Sequence, residues 1–204
     1  MMKNLNKWLL AFACAVLCCG VTSCGDDDDD NNGNGNGGTP APAVTTKQFQ
    51  YVAYTSTDMV AAADVEVTYT DLATGKEVTR VLTAADNSFN QTTDYWGKFW
   101  TNMPSQFNFA KTFRFASPVF TIANGTAYKM TMTVKENKAK VEAYKNSNTE
   151  FYKTSFLSAY LDNSPVNDAM AVDCIVIDKM EKLEPYLQKN IYGRTKTFSG
   201  SASW

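Results

Sequence analysis

Two stretches of this chain alternate residue by residue, and that period of two decides what they can become. Asp64 to Thr70 places Val65, Val67 and Tyr69 on one side and Glu66, Thr68 and Thr70 on the other. Ala127 to Lys135 repeats the pattern, with Tyr128, Met130, Met132 and Val134 against Lys129, Thr131, Thr133 and Lys135. Successive side chains of a strand point to opposite faces, so both segments predict strands with one dry and one wet face. Strands of that kind belong to antiparallel sheets. Between Thr70 and Glu77 lies Asp71-Leu72-Ala73-Thr74-Gly75-Lys76, a turn in which Gly75 supplies positive φ. Glu77 to Thr83 then returns as the second strand of a hairpin.

Further strands are expected over Phe49–Tyr54, Trp96–Asn102, Phe107–Phe115, Ala139–Tyr144, Val172–Ile177 and Thr195–Trp204. Val172–Ile177 is apolar on both faces and reads as a mid-sheet strand. Thr195–Trp204 sets Phe198, Ala202 and Trp204 against hydroxyl residues and reads as a closing strand. Two segments read as helical. One is Tyr152–Leu161; the other is Lys179–Lys189, behind an Asp178/Glu181 capping box and shortened by Pro185. The expected fold class is all-β with minor helix, an antiparallel β-sandwich over residues 47–204. A small lipocalin-like closed barrel is the alternative.

The first 46 residues have a different character. Lys3 and Lys7 precede a nearly unbroken apolar or small-residue stretch from Trp8 to Val21. Its length suits a signal sequence better than a membrane span. Val21-Thr22-Ser23-Cys24 reads as a lipobox, with cleavage after Ser23 and lipidation of Cys24. Each buried methylene of an acyl chain contributes about 0.8 kcal/mol, so several chains anchor a domain durably. Residues 1–23 are thus expected to be a lipoprotein signal peptide and 24–46 a tether. The tether carries Asp26, Asp27, Asp28, Asp29 and Asp30, then an Asn/Gly-rich run and Thr39-Pro40-Ala41-Pro42, and nothing in it can build a core. As a flexible coil, Gly25 to Thr46 spans roughly 26 Å.

Cys24-Gly25-Asp26-Asp27-Asp28-Asp29-Asp30 resembles the N-terminus of Bacteroidetes lipoproteins. In that phylum an acidic cluster behind the lipidated cysteine directs export to the outer face of the outer membrane. The resemblance implies a lipid-anchored outer-membrane protein on the extracellular side, held to the membrane through Cys24. Ser56-Thr57-Asp58-Met59-Val60, leading into Asp64-Val65-Glu66-Val67-Thr68-Tyr69-Thr70-Asp71, with Trp100 and Pro104 further on, is similar to small Bacteroidetes lipoproteins with an immunoglobulin-like domain. That resemblance implies an immunoglobulin-like sandwich over residues 50–115 and no particular activity.

Composition removes several chemistries. The 204 residues include no histidine, which excludes Ser-His-Asp and Cys-His catalysis and histidine zinc sites. Of 19 basic residues, Lys3 and Lys7 leave with the signal, so 17 face 21 acidic ones. The five tether aspartates account for that excess, and the remaining domain is nearly neutral. A nucleic-acid partner would need a basic face. Gly33, Gly35 and Gly38 match G-x-G-x-x-G by count but lack the strand and helix that a dinucleotide site needs. Gly75-Lys76 lacks the upstream glycine of a P-loop. No calcium-loop motif follows the aspartates, so neither metal nor cofactor is expected. Cys14, Cys18 and Cys19 lie in the signal, leaving Cys174 as a small buried hydrophobe with no disulfide partner.

Three activities remain open. The sequence Tyr95-Trp96-Gly97-Lys98-Phe99-Trp100 as a strand would put Trp96, Lys98 and Trp100 on one face. Such a face stacks on sugar rings, and it equally suits one layer of a sandwich core. A non-catalytic extracellular binding module for a glycan or other ligand is the first reading. A structural or protein-interaction accessory subunit of an outer-membrane complex is the second. An enzyme built on a carboxylate pair, drawn from Asp162, Asp168, Asp173 and Asp178, is the third.

Overall fold

A computed structural model describes residues 45–90, 105–166 and 172–204 of the protein. In chain order its elements are β1 (Thr46–Ser56), α1 (Thr57–Ala62), β2 (Asp64–Thr70), β3 (Glu77–Val81), β4 (Thr112–Ala116), β5 (Phe120–Ala123) and β6 (Ala127–Lys135). These are followed by α2 (Lys138–Ser147), β7 (Phe151–Lys153), β8 (Ser155–Leu161), β9 (Ser164–Pro165), β10 (Ile175–Ile177), α3 (Leu183–Asn190) and β11 (Thr195–Ser201). The fold is all-β, antiparallel and sandwich-like. One sheet runs β4-β1-β8-β9, with β5 beside β4 on the same edge of β1. The other runs β11-β6-β2-β3. β7 and β10 form a short separate ladder. Neither sheet closes on itself among the described residues, which favours the sandwich over the barrel.

The alternating segments fold as their period requires. β2 and β6 occupy the expected residues, and every inward side chain named for them is buried. Asp71 caps the hairpin turn by accepting the amides of Ala73 and Thr74, and Gly75 takes φ 71°. β1 behaves differently because it lies at the centre of its sheet. Phe49, Tyr51 and Ala53 face the second sheet, while Val52 and Tyr54 face away, and all five are buried. The outward pair packs with Phe156 and Val172, and Phe89, Phe107 and Cys174 lie against them. The rings of Tyr54 and Phe156 stack at 4.4 Å. Fully burying one such side chain stabilises the fold by roughly 1.5–3 kcal/mol.

Between the sheets the core is aromatic. Tyr51 meets Phe49 edge-on at 4.9 Å and Tyr69 at 5.6 Å. The Tyr51 hydroxyl is satisfied by accepting the Lys129 amide at 3.2 Å. Burial pushes this phenol up to about 12.

Several expectations need correction. Tyr152–Leu161 is not helical; it forms β7 and β8, and β8 pairs with β1 from Phe49 to Thr55. Tyr152, Phe156 and Tyr160 recur every four residues, a spacing that fits one face of a helix and one face of a strand alike. Pairing with a central strand decides between them. Ala139–Tyr144 is not a strand but the middle of α2. Asn137 caps that helix by accepting the Lys140 amide at 3.1 Å, and Val141 and Tyr144, three apart, form its buried face. Val172–Ile177 contributes only the three residues of β10, which among the described residues pair with β7 alone, and Ile175 and Val176 are exposed. Within Phe107–Phe115, Phe109–Lys111 is a 3-10 turn capped by Asn108.

The Asp178/Glu181 capping box is absent. Lys179 and Lys182 occupy the cap positions of a 3-10 turn and of α3, without side-chain caps. Pro185 is tolerated in the first turn of α3, where no intrahelical amide bond is needed. Among the described residues β11 does end its sheet as expected, paired only with β6. The expected strand Trp96–Asn102 lies outside the described residues.

Candidate functional site

Most sequence-derived candidates fall where the structure is silent. Cys24, Asp26 to Asp30, Trp96, Lys98, Trp100 and Asp168 lie outside the described residues. Asp162 sits in the β8–β9 turn at φ 46°, where it accepts the Gln48 amide at 2.8 Å and faces Lys47 at 3.8 Å. That is a turn-stabilising role. Asp173 and Asp178 are exposed. Among the described residues no three Cys, Asp or Glu side chains gather as a metal site would require. Cys174 is half-buried, not fully buried, with its sulfur 3.2 Å from the Tyr152 hydroxyl.

A different site emerges from strand geometry. Phe151 and Lys153 are two apart on β7, so they share a face, and Phe151 is in the main core. Lys196 and Phe198 are likewise two apart on β11, and Phe198 is in the same core. Two lysines therefore occupy core-facing positions on two different strands. Both line a cavity of about 500 Å³, together with Ser155 of β8, Met132 and Val134 of β6, Met59 of α1 and Ile191 just after α3. Asn190, Arg194, Thr195 and Asp173 complete its wall.

The two lysines are held differently. Lys153 is only 7% exposed, and among the described residues no carboxylate pairs with it. Lys196 is an exposed residue whose ammonium nevertheless turns inward, donating to the Ser155 carbonyl at 2.8 Å. Partial burial and then the like charge of Lys153 pull its pKa below the usual lysine value; Asp173 offsets part of this. Arg194 donates to the Lys189 carbonyl at 3.1 Å, at the C-terminal end of α3. Thr55, the cross-strand partner of Ser155, carries a buried hydroxyl without a hydrogen-bond partner among the described residues.

The cavity thus combines three cationic groups, one carboxylate, three neutral polar side chains and an apolar patch. Positive charge held in a partly dry site attracts an anion far more strongly than the same charge in water. A second cavity, about 420 Å³, lies where β1 and β6 begin and β11 ends. Its cation, Lys47, is already engaged by Asp162 and by the Trp204 ring, 5.2 Å from its centroid. The first cavity is therefore the better candidate.

Sequence reasoning missed Lys153 and Lys196. The available signal was their parity: each stands in step with an aromatic core residue of its own strand. No protein-family model, curated protein or solved structure matches this chain.

Proposed function

We propose that this chain is a lipoprotein of the outer membrane, anchored through acyl chains on Cys24, whose β domain is a non-catalytic binding module on the extracellular side. The observation that carries the binding reading is the cavity itself, where Lys153 and Lys196 meet above apolar side chains and neither forms an ion pair among the described residues. Two like charges held close together repel, and an anion bound between them relieves that repulsion. The anchoring reading is supported by Val21-Thr22-Ser23-Cys24 and the five aspartates that follow. The glycan version is supported by the spacing of Trp96, Lys98 and Trp100.

Cys24→Ser should move the protein from the membrane fraction to the soluble fraction. Protease added to intact cells should remove the wild-type domain; survival of the domain would place it on the inner side and refute surface display. For the glycan version, Trp96→Ala and Trp100→Ala should abolish retention on a glycan array while the thermal midpoint holds. Unchanged retention would refute the aromatic platform.

A second reading, an accessory subunit of an outer-membrane complex, is favoured by β10. Its Ile175 and Val176 are exposed apolar residues on a strand that pairs only with β7 among the described residues. Stoichiometric recovery of a membrane partner from crosslinked cells, lost with Val176→Glu, would establish it. Recovery of the lone chain would refute it.

A further inference from the structure

We infer that the cavity between β6, β7, β8 and β11 takes a small amphiphilic organic anion, its charged end between Lys153 and Lys196 and its apolar body against Met59, Met132 and Val134. This names a ligand class for the same cavity and so rests on the binding-module reading.

Four observations converge on it. First, both lysines occupy positions that their strands assign to the core, beside Phe151 and Phe198. A lysine at such a position lays its stem along apolar side chains and presents its ammonium to the cavity, where an anion can meet it. Second, among the described residues neither lysine forms an ion pair: Lys196 donates to the neutral Ser155 carbonyl, and Asp173 offsets its charge only in part. Third, the lining contains one acidic side chain, Asp173, against Lys153, Lys196 and Arg194, so the local field is positive. Fourth, the lining also carries an apolar patch of Met59, Met132, Val134 and Ile191, and the two methionines are pliable enough to fit a variable hydrocarbon shape. The volume of about 500 Å³ lies in the range of small-molecule sites.

These features also reject alternatives. A cation would meet three like charges. A bare inorganic anion would leave the methionines and valine uncovered. A neutral sugar would place hydroxyls against apolar carbon and leave the ammonium groups without an anion.

The test uses the full chain carrying Cys24→Ser, so that no acyl chain or detergent competes. Titration calorimetry is run with three probes: octanoate, 1-octanol and acetate. Octanoate should bind at least about tenfold more tightly than either of the others, since a charge-assisted contact and apolar burial each contribute a factor of that size. Lys153→Met and Lys196→Met should each weaken octanoate about tenfold or more. Both should leave 1-octanol within about twofold, because their apolar surface remains. Lys153→Arg should retain most of the octanoate affinity. A thermal melt of each variant checks that the fold is intact.

Equal binding of 1-octanol and octanoate would overturn the inference, because the cavity would then be reading only apolar surface. Equal binding of acetate would overturn it from the other side. Octanoate failing to bind while a neutral glycan is retained would reject this ligand class and leave the binding module standing. Failure of every probe and of the glycan array would remove both readings.

Discussion

The Asp58 carboxylate accepts the backbone amide of Tyr152 at 2.8 Å, across 94 residues of sequence. The same oxygen accepts the Lys111 ammonium at 3.1 Å. Asp58 stands in the first turn of α1, and Tyr152 is the middle residue of β7, immediately before Lys153. One carboxylate therefore fixes the strand that carries the cavity's buried lysine.

Removing that carboxylate strands a buried amide, since Tyr152 is 2% exposed. Asp58→Ala should lower stability by about 1–3 kcal/mol in urea denaturation. Asp58→Asn keeps an acceptor for the amide and loses only the pairing with Lys111, which retains Glu150 at 2.8 Å. It should cost about 1 kcal/mol or less. Equal losses in the two variants would show that the amide bond is not the source.

Gly200 and Tyr128 are direct partners across β11 and β6. A Cβ at Gly200 would lie 2.5 Å from the Tyr128 hydroxyl oxygen and 2.8 Å from Cζ. The ring has little room to retreat, because it stacks on Phe198 at 5.2 Å and meets Phe49 at 5.0 Å. Gly200→Ala should destabilise by about 1–3 kcal/mol, as overpacking does. The penalty should vanish in a Tyr128→Ala background, which a double-mutant cycle measures directly. A penalty that persists there would point to the strand backbone instead.

Asp64 links β2 to α2. Its carboxylate pairs with the Lys140 ammonium at 3.0 Å and accepts from Asn137. The Lys140 contact, reinforced by Asn137 and opposed by partial burial, holds the carboxyl below its usual value. Asp86 is lowered in the same way by the amide and hydroxyl of Thr83. Groups with a depressed folded pKa contribute stability that is fully present above their unfolded value of about 3.9 and is lost as pH falls through the folded one. The urea midpoint should therefore fall between pH 5 and about pH 3. Asp64→Asn should show a shallower fall; an identical slope would remove Asp64 as a contributor.

Lys153→Met replaces a side chain that is 7% exposed and has no ion pair among the described residues with an apolar chain of similar length. The variant should be more stable than the parent by about 1 kcal/mol or more in the absence of ligand. A raised thermal midpoint is the expected result. A lowered midpoint would mean that Lys153 serves the fold and not a ligand.

Period-two patterning was legible wherever one face of a strand is wet. β2 and β6 carry it because solvent demands polar residues at Glu66, Thr68, Lys129 and Thr131, and the Asp71–Lys76 turn joins β2 to β3. β8 could not be read that way. It pairs with β1 at the centre of a sheet buried on both faces, so aromatics every four residues carry no mark that separates strand from helix. Val172–Ile177 failed in the opposite direction: an apolar run suggested burial, yet among the described residues β10 lies in a two-stranded ladder with Ile175 and Val176 exposed. α2 was settled by a cap at Asn137 and by its packing face, both weaker in sequence than the β-forming Val141 and Tyr144.

The sequence by itself determined the half-wet strands, their hairpin, the absence of histidine chemistry and the expectation of a lipid anchor at Cys24. These follow from local rules: side-chain period, turn chemistry, residue inventory and a contiguous motif. Only the tertiary structure decided that Lys153 and Lys196, 43 positions apart, share one cavity. Neither lysine is unusual along the chain. They become a site because two strands from different sheets bring their core-facing positions to one cavity, where the two like charges lie close enough to interact.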